Sequence, residues 1–141
     1  MNKTIGTLTI GFALLFLSGF KSPETKTLKV EISNIEIQAS TQVWVSVFKV
    51  DDFLKKSIKT KSIAATEKKV SVEFDLPSGE YAVSTYHDLN NNNELDRYFI
   101  GKPKEPYGFS NNVRTLGPPS FEKCMFTLDN SGRIISIELN N

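Results

Sequence analysis

The alternation of apolar and polar residues is the feature that most constrains the fold of this chain. Every second residue of 70–76 is apolar, and Leu28, Val30 and Ile32 repeat that pattern earlier in the chain. Successive side chains of a β-strand point to opposite faces, so a period of two describes strands that bury one face. The chain after its N-terminal region carries no stretch with the period of an amphipathic helix. The sequence therefore predicts an all-β domain.

Further strands are predicted from runs rich in β-branched and aromatic residues. These runs are 42–50, which is apolar on both faces, 80–87, 121–128 and 133–139. The short connection between the last two predicts that they form a hairpin. A change of phase at residues 33–34 predicts a bulge or bend in the first strand. About seven strands without helical crossovers favour a single antiparallel β-sandwich, which we place at residues 27–141.

The N-terminal region predicts export. Lys3 precedes an apolar run at residues 5–17, which has the length of a signal-peptide core and is too short to span a bilayer as a helix. We expect residues 1–22 to be a signal peptide and the mature protein to be secreted or periplasmic, with no membrane anchor. An uncleaved anchor is the alternative. Residues 17–19 begin like a lipoprotein signal, but Phe20 replaces the cysteine that would carry the lipid.

The charge balance argues against nucleic acid as a partner, and the cysteine count excludes one kind of stabilising bond. The chain has 17 basic and 16 acidic residues, so its overall field does not favour nucleic acid as a partner. Cys124 is the single cysteine, which excludes an intrachain disulfide. We expect it to be a small buried residue on the 121–128 strand, with a nucleophilic role as the alternative. Stability must therefore come from packing, with a bound ion as a further source.

A polar run directly after a predicted strand is the candidate metal site. Five residues form it: Asp88, Asn90, Asn92 and Asp96 place side-chain oxygens at positions 1, 3, 5 and 9, and Glu94 offers its backbone carbonyl. Calcium takes six to eight oxygen ligands, and alternate residues of a tight loop direct their oxygens to one centre. The spacing predicts a calcium site.

Two observations qualify this prediction. Position 12 of the run is Phe99, so the bidentate glutamate of an EF-hand is missing and the site would be weak. Asp and Asn side chains also bond to the backbone of their own turn without an ion, so an Asx-rich turn is the alternative. His87, the single histidine, adjoins the run. We expect it to hydrogen-bond the following segment, with a ligand or acid–base role as the alternative.

The segment 88–120 is predicted to be an ordered cap on the sandwich. Structureless connections longer than about 12–15 residues are uncommon in compact domains. Its apolar side chains are expected to pack against the strands, and they are Tyr98, Phe99, Ile100, Tyr107, Phe109 and Leu116. Aromatic and amide side chains in 105–112 suit either stacking on a sugar ring or packing of the cap.

Three segments carry a resemblance to a known family. They read YAVSTYHDLNNNNELD at 81–96, IGKPKEPYGFSNN at 100–112 and GPPSFEKCMF at 117–126. Together they resemble the secreted bacterial family catalogued as domain of unknown function 2141. The chain departs from that pattern at Asn93, where glycine is usual, and at Cys124, where a small residue such as alanine is usual. The resemblance implies a small immunoglobulin-like or transthyretin-like sandwich and implies no activity.

Three classes of function remain open at this point. We expect an exported, non-catalytic binding module with a calcium-binding-like loop and a carbohydrate or protein ligand at the cap. A purely structural, envelope-associated protein is the second class. A hydrolase is the third, and it requires two titratable groups within hydrogen-bond reach in a pocket.

Overall fold

The structure is a computed structural model that describes residues 22–140. The predicted signal peptide, residues 1–22, lies outside the described residues apart from its last position. Within the described chain, no helix is long and apolar enough to cross a membrane.

Eight strands make up most of the described chain. They are β1 (Thr25–Ser33), β2 (Gln42–Phe48), β3 (Lys59–Ala64), β4 (Val70–Pro77), β5 (Gly79–Asp88), β6 (Tyr107–Phe109), β7 (Phe126–Leu128) and β8 (Arg133–Glu138). A short helix, α1 (Phe121–Cys124), precedes β7, and 3₁₀ turns cover Val50–Asp52 and Ser110–Asn112.

The strands form two sheets that enclose one core, which confirms the predicted β-sandwich. The first sheet has the order β4-β1-β8, and the second has the order β3-β2-β5-β6. β7 shares the outer edge of β5 with β6, because β6 pairs with residues 84–86 and β7 with residues 79–81. The β1–β8 pair is parallel, and it departs from the predicted antiparallel arrangement.

The core lies between the sheets and consists of the apolar positions of the alternating strands. β1, β2, β4, β5 and β8 supply most of it, through Leu28, Val30, Ile32, Val43, Val45, Val47, Phe74, Leu76, Tyr81, Val83 and Ile137. Val70 and Val72 of β4 are also buried, and Ile135 of β8 is partly buried against the core. Each strand places alternate side chains in this layer, as the period of two predicts.

A second apolar cluster covers the opposite face of β5. Ala82, which points away from the core, is buried there with Phe121 and Cys124. Phe53 lies edge-on between Phe48 and Phe121, with ring centroids 5.7 Å apart in both pairs. This cluster accounts for Phe48, an apolar side chain on the outer face of the 42–50 run. Trp44, on the same run, is partly buried, and its indole Nε1 is buried.

Two strand predictions near the C-terminus are wrong. The predicted 121–128 strand is α1 followed by β7, so Cys124 lies on a helical turn, although it is buried as expected. β7 and β8 do not form a hairpin, because β7 pairs with β5 and β8 pairs with β1. The short connection between them crosses from one sheet to the other. Local sequence predicts a tight turn there but does not determine which neighbour each strand finds.

Strand β3 was missing from the sequence prediction. Its residues are mostly polar, and nearly all of them are exposed at the edge of the second sheet. Lys59 Nζ donates to the backbone carbonyl of Asp75 at 2.7 Å, and Lys61 Nζ donates to that of Glu73 at 2.5 Å. These lysines therefore cover the free edge of β4 in the other sheet, which protects it from pairing with another chain.

The predicted cap is not a single packed layer. Tyr107–Phe109 joins the second sheet as β6, whereas Phe99, Ile100 and Leu116 are largely or fully exposed. The segment is ordered as predicted, but only part of its apolar side chains pack, because backbone hydrogen bonds order the rest without burying them. The predicted bend at 33–34 is present, since β1 ends there and Asn34 has a φ of 62°.

Candidate metal loop and the adjoining hairpin

The candidate metal loop leaves the end of β5, an inner strand of the second sheet. Asp88 is the last residue of β5, and its side chain is completely buried. The backbone N–H of His87 donates to the carbonyl of Pro106 at 2.9 Å. The chain therefore returns to β5 beside the point at which it left, and residues 88–106 form a closed excursion.

The carboxylate of Asp88 organises the first turn of the loop. Its Oδ1 accepts the backbone N–H of Asn92 at 3.2 Å, and its Oδ2 accepts that of Asn93 at 2.8 Å. These bonds require the chain to fold back within five residues. Asn91 and Asn93 have positive φ values of 58° and 65°, a conformation that asparagine tolerates better than most residues.

Glu105 joins the two ends of the loop. Its Oε1 accepts the backbone N–H of Leu89 at 2.8 Å, and its Oε2 accepts that of Asp96 at 3.1 Å. Its side chain is buried. This role of Glu105 could not be predicted from the sequence, because no local spacing connects a single glutamate to a turn that begins 16 residues earlier. The one sequence signal that includes Glu105 is the family resemblance, because Glu105 lies in the 100–112 segment that carries it.

Asp96 gathers the two amide side chains of the candidate ligand set. Its Oδ2 accepts hydrogen bonds from Asn90 Nδ2 at 2.6 Å and from Asn92 Nδ2 at 3.1 Å. The amide oxygens face the backbone instead, because Asn90 Oδ1 accepts the N–H of Asn92 and Asn92 Oδ1 accepts that of Glu94. These contacts are those of successive Asx turns. The Glu94 side chain is exposed.

The orientation of these groups determines what a cation would require. A calcium ion at Asp96 needs oxygen atoms around it, and the amides of Asn90 and Asn92 present nitrogen atoms to that carboxylate. Both amides would have to rotate and release two backbone N–H groups. Within residues 22–140, no group of three or more His, Cys, Asp or Glu side chains is arranged to hold a metal. The candidate ligand set of the loop depends on the amide oxygens of Asn90 and Asn92 as well as on carboxylates.

The loop also concentrates negative charge. Within residues 22–140, the acidic residues that form ion pairs with lysines are Glu24 and Glu31. No basic side chain of the described residues pairs with Asp88 or Glu105. These two buried carboxylates are satisfied by neutral backbone N–H groups. Burial, and after it the nearby carboxylates of Asp88, Glu105 and Glu94, raises the pKa of Tyr86 to about 12. Buried carboxylates generally pair with a cation, so this region is electrostatically suited to one.

His87 is fully buried beside the loop. Its Nε2 lies 2.7 Å from the hydroxyl oxygen of Thr41, and its Nδ1 has no hydrogen-bond partner within the described chain. The ring therefore bonds the segment that precedes β2, whereas the backbone N–H makes the bond to the segment after the loop. Burial lowers the pKa of His87, although Glu105, Glu36 and Asp88 act in the opposite direction. These contacts favour a structural role.

A short hairpin projects from the loop at residues 97–103. Arg97 and Pro103 form its closing bridge. The N–H of Tyr98 donates to the carbonyl of Lys102 at 2.8 Å, and the N–H of Gly101 donates to that of Tyr98 at 2.7 Å. Gly101 turns the chain with a φ of 84°, a value that favours glycine. At the base, the N–H of Lys104 donates to the carbonyl of Asp96 at 2.8 Å.

The tip of this hairpin carries three consecutive exposed apolar side chains. Tyr98 is 54% exposed, Ile100 is 83% exposed and Phe99 is exposed as fully as in an extended peptide. The hairpin is thus ordered by backbone hydrogen bonds while its apolar side chains face solvent. This arrangement differs from the packed cap that the sequence predicted.

The aromatic residues after the hairpin pack on the protein. Tyr107 and Phe109 are half-buried and lie edge-to-face, with ring centroids 5.9 Å apart. The depression beside them has a volume of about 10 Å³, which is enough for about one water molecule. A larger depression of about 440 Å³ lies elsewhere, between β1 and the connection from β7 to β8. The 105–112 segment therefore has a packing role in this structure.

A comparison with protein families identifies the family of this chain. The model of a family described as "Uncharacterized protein conserved in bacteria (DUF2141)" matches residues 30–136. The chain belongs to this family. The DUF2141 match spans strands of both sheets, the candidate metal loop and the hairpin. No significant match was found among curated proteins or among solved structures.

The structure explains both departures from the DUF2141 pattern. Asn93, which stands where glycine is usual, has a φ of 65°, so the position requires the left-handed conformation that glycine adopts most easily. Cys124 is fully buried in the second apolar cluster, where a small side chain is required. Its burial raises the pKa of the thiol to about 11 and argues against a nucleophilic role.

Proposed function

We propose that this protein is an exported, non-catalytic binding module that contacts its ligand through the 97–103 hairpin. The observation that carries the proposal is the exposure of Tyr98, Phe99 and Ile100 at the tip. A run of three exposed apolar residues is unfavourable in water and typically marks an interaction site.

The base of the hairpin supports the same proposal. Glu105 and Asp88 are buried and hold the loop through four backbone N–H groups. A segment that is already ordered loses less conformational entropy on binding than a flexible one. The tip is therefore presented in a defined conformation by buried groups that do not themselves face the ligand.

A photo-crosslinking residue at the tip tests this function in cells. We expect a crosslinker in place of Phe99 to form an adduct with a cellular component in an exporting bacterium. Val50 is the matched control position, because it is apolar, 53% exposed and follows the end of β2 opposite to the one that pairs with Asp88. Absence of an adduct at residue 99, or equal adducts at both positions, would contradict the proposal.

Export is the part of the proposal that rests on sequence. Lys3 and the apolar run at 5–17 support it. We expect mass spectrometry of protein recovered outside the cytoplasm to give an N-terminus within about residues 19–26, the region that follows the apolar core. Recovery of a cytoplasmic product that retains Met1 would refute export.

We also propose that the candidate metal loop binds calcium weakly through Asp88, Asn90, Asn92, Asp96 and the backbone carbonyl of Glu94. The spacing of these oxygens supports the proposal, and so do the buried carboxylates that no basic side chain of the described chain neutralises. Bound calcium would supply that positive charge. Two formal charges and few ligands imply a dissociation constant of about 10⁻⁴–10⁻³ M.

Thermal melts test the calcium proposal. A dissociation constant near 0.1 mM predicts that about 2 mM calcium stabilises the protein by roughly 1.8 kcal/mol. Asp88→Ala and Asp96→Ala should each abolish that increase. Glu94→Ala is the matched control and should keep it, because the backbone carbonyl remains. An unchanged wild-type melt in millimolar calcium would mean that the loop is an Asx turn and binds no ion.

A further inference from the structure

We infer that the 97–103 hairpin docks on an anionic lipid surface. The inference rests on the proposed function, because it names the partner of the same hairpin. It describes a peripheral contact made by side chains at one tip and does not involve a membrane-spanning segment.

The charges of the hairpin are one-sided. Arg97, Lys102 and Lys104 are basic and exposed, and residues 97–104 contain no acidic residue. The chain as a whole is nearly neutral, so this is a local concentration of positive charge. Basic residues close to an anionic bilayer are attracted by its negative surface potential.

Contacts within the hairpin place these cations beside the apolar tip. Arg97 Nη1 donates to the carbonyl of Gly101 at 3.1 Å, and Lys104 Nζ lies 5.4 Å from the centroid of the Tyr98 ring. An element of this kind fits the interface of a bilayer. Its apolar side chains enter the boundary between headgroups and acyl chains, the tyrosine ring lies among the headgroups, and the cations meet lipid phosphates.

The shape of the tip favours a lipid surface over a folded protein partner. A stable protein interface buries about 800 Å² on each side and is depleted in lysine at its centre. Here the exposed apolar surface is limited to three side chains on a projecting turn, and lysines lie next to it. A fluid bilayer accommodates such a tip without a preformed pocket.

The base of the hairpin limits how strongly it binds. Glu94 and Asp96 precede it, and Glu105 follows it with Asp88 buried nearby, and an anionic surface repels all four carboxylates. The contact should therefore be confined to the tip, reversible and weakened by salt. Each basic residue should contribute roughly fivefold to the partition coefficient, and burial of Phe99 at least about tenfold.

Vesicle sedimentation of the exported protein tests the inference. The wild type and all variants are exported in the same way and therefore share the same N-terminus. The vesicles are phosphatidylcholine with or without phosphatidylglycerol, and a chelator is present so that the result does not depend on calcium. We expect binding to the anionic vesicles, a loss of about tenfold with Phe99→Ser, and a loss of about 25-fold or more with Lys102→Glu and Lys104→Glu combined.

Matched controls decide the outcome. Leu116→Ser removes an equally exposed apolar side chain outside the hairpin and should leave binding unchanged. Phe99→Trp should give a fluorescence blue shift with anionic vesicles in a Trp44→Phe background. Binding that is absent, equal on neutral vesicles, or insensitive to the hairpin variants would overturn the inference. A crosslink from residue 99 to a protein, without vesicle binding, would overturn it while leaving the proposed function intact.

Discussion

Glu105 Oε2 accepts the backbone N–H of Asp96 at 3.1 Å, although the two residues are nine positions apart and the whole hairpin lies between them. The other oxygen of the same carboxylate accepts the N–H of Leu89 at 2.8 Å. One buried side chain thus fixes both the start of the candidate metal loop and the base of the hairpin. The hairpin depends on this carboxylate for its position on the sandwich.

Glu105→Gln should therefore destabilise the protein by about 1–3 kcal/mol. The glutamine amide has one oxygen, so its NH₂ group would face one of the two backbone N–H groups, which would then lose its acceptor. Chemical denaturation monitored by circular dichroism measures the change. Glu94→Gln is the control, since it removes an exposed carboxylate of the same loop and should have little effect. Equal stability of both variants would mean that Glu105 does not organise the loop.

The pH dependence of stability should include a contribution from His87. Burial lowers its pKa in the folded protein below the ordinary value of 6.5, so the unfolded chain takes up a proton first as the pH falls. This contribution is fully present above pH 6.5 and is lost as the pH falls from there through the folded-state pKa. His87→Gln should reduce the fall in melting temperature between about pH 7 and pH 5. A slope identical to that of the wild type would contradict the assignment.

The lysines of β3 should limit self-association. Lys59→Ala combined with Lys61→Ala uncovers carbonyl groups at the edge of β4, which can then pair with another chain. We expect the unfolding free energy to change by less than about 1 kcal/mol while sedimentation velocity shows larger species at high concentration. Lys55→Ala with Lys56→Ala removes the same charge from an exposed turn and should remain monomeric. If both double variants self-associate equally, the loss of net charge and not the uncovered strand edge causes the association.

Cys124 should resist modification while the protein is folded. Burial raises the pKa of its thiol to about 11, so almost no thiolate is present near neutral pH. A disulfide exchange reagent should label less than about a tenth of the chains in buffer and one thiol per chain in denaturant. Rapid labelling of the native protein would show that the second apolar cluster is open to solvent.

Much of the sandwich could be predicted from the sequence. Alternation in β1 and β4 gives both their secondary structure and their inward faces, because a strand exposes alternate residues on opposite sides. The polar composition of β3 gave no such signal, since both faces of an edge strand can remain in water. The partners of β7 and β8 also required the structure, because a short turn restricts distance and does not select the sheet.

Some features of the candidate site could likewise be predicted from the sequence, and others required the structure. The sequence by itself determined that Asp88, Asn90, Asn92 and Asp96 lie in one turn, because residues so close in sequence have few ways to separate and their side chains favour Asx turns. Tertiary structure decided that Glu105 holds this turn and that Phe99 points into solvent. Hydrogen bonds between distant segments position the hairpin, and their energy offsets the exposure of its apolar tip. No local pattern of residues encodes that balance, which exists only after both sheets have formed.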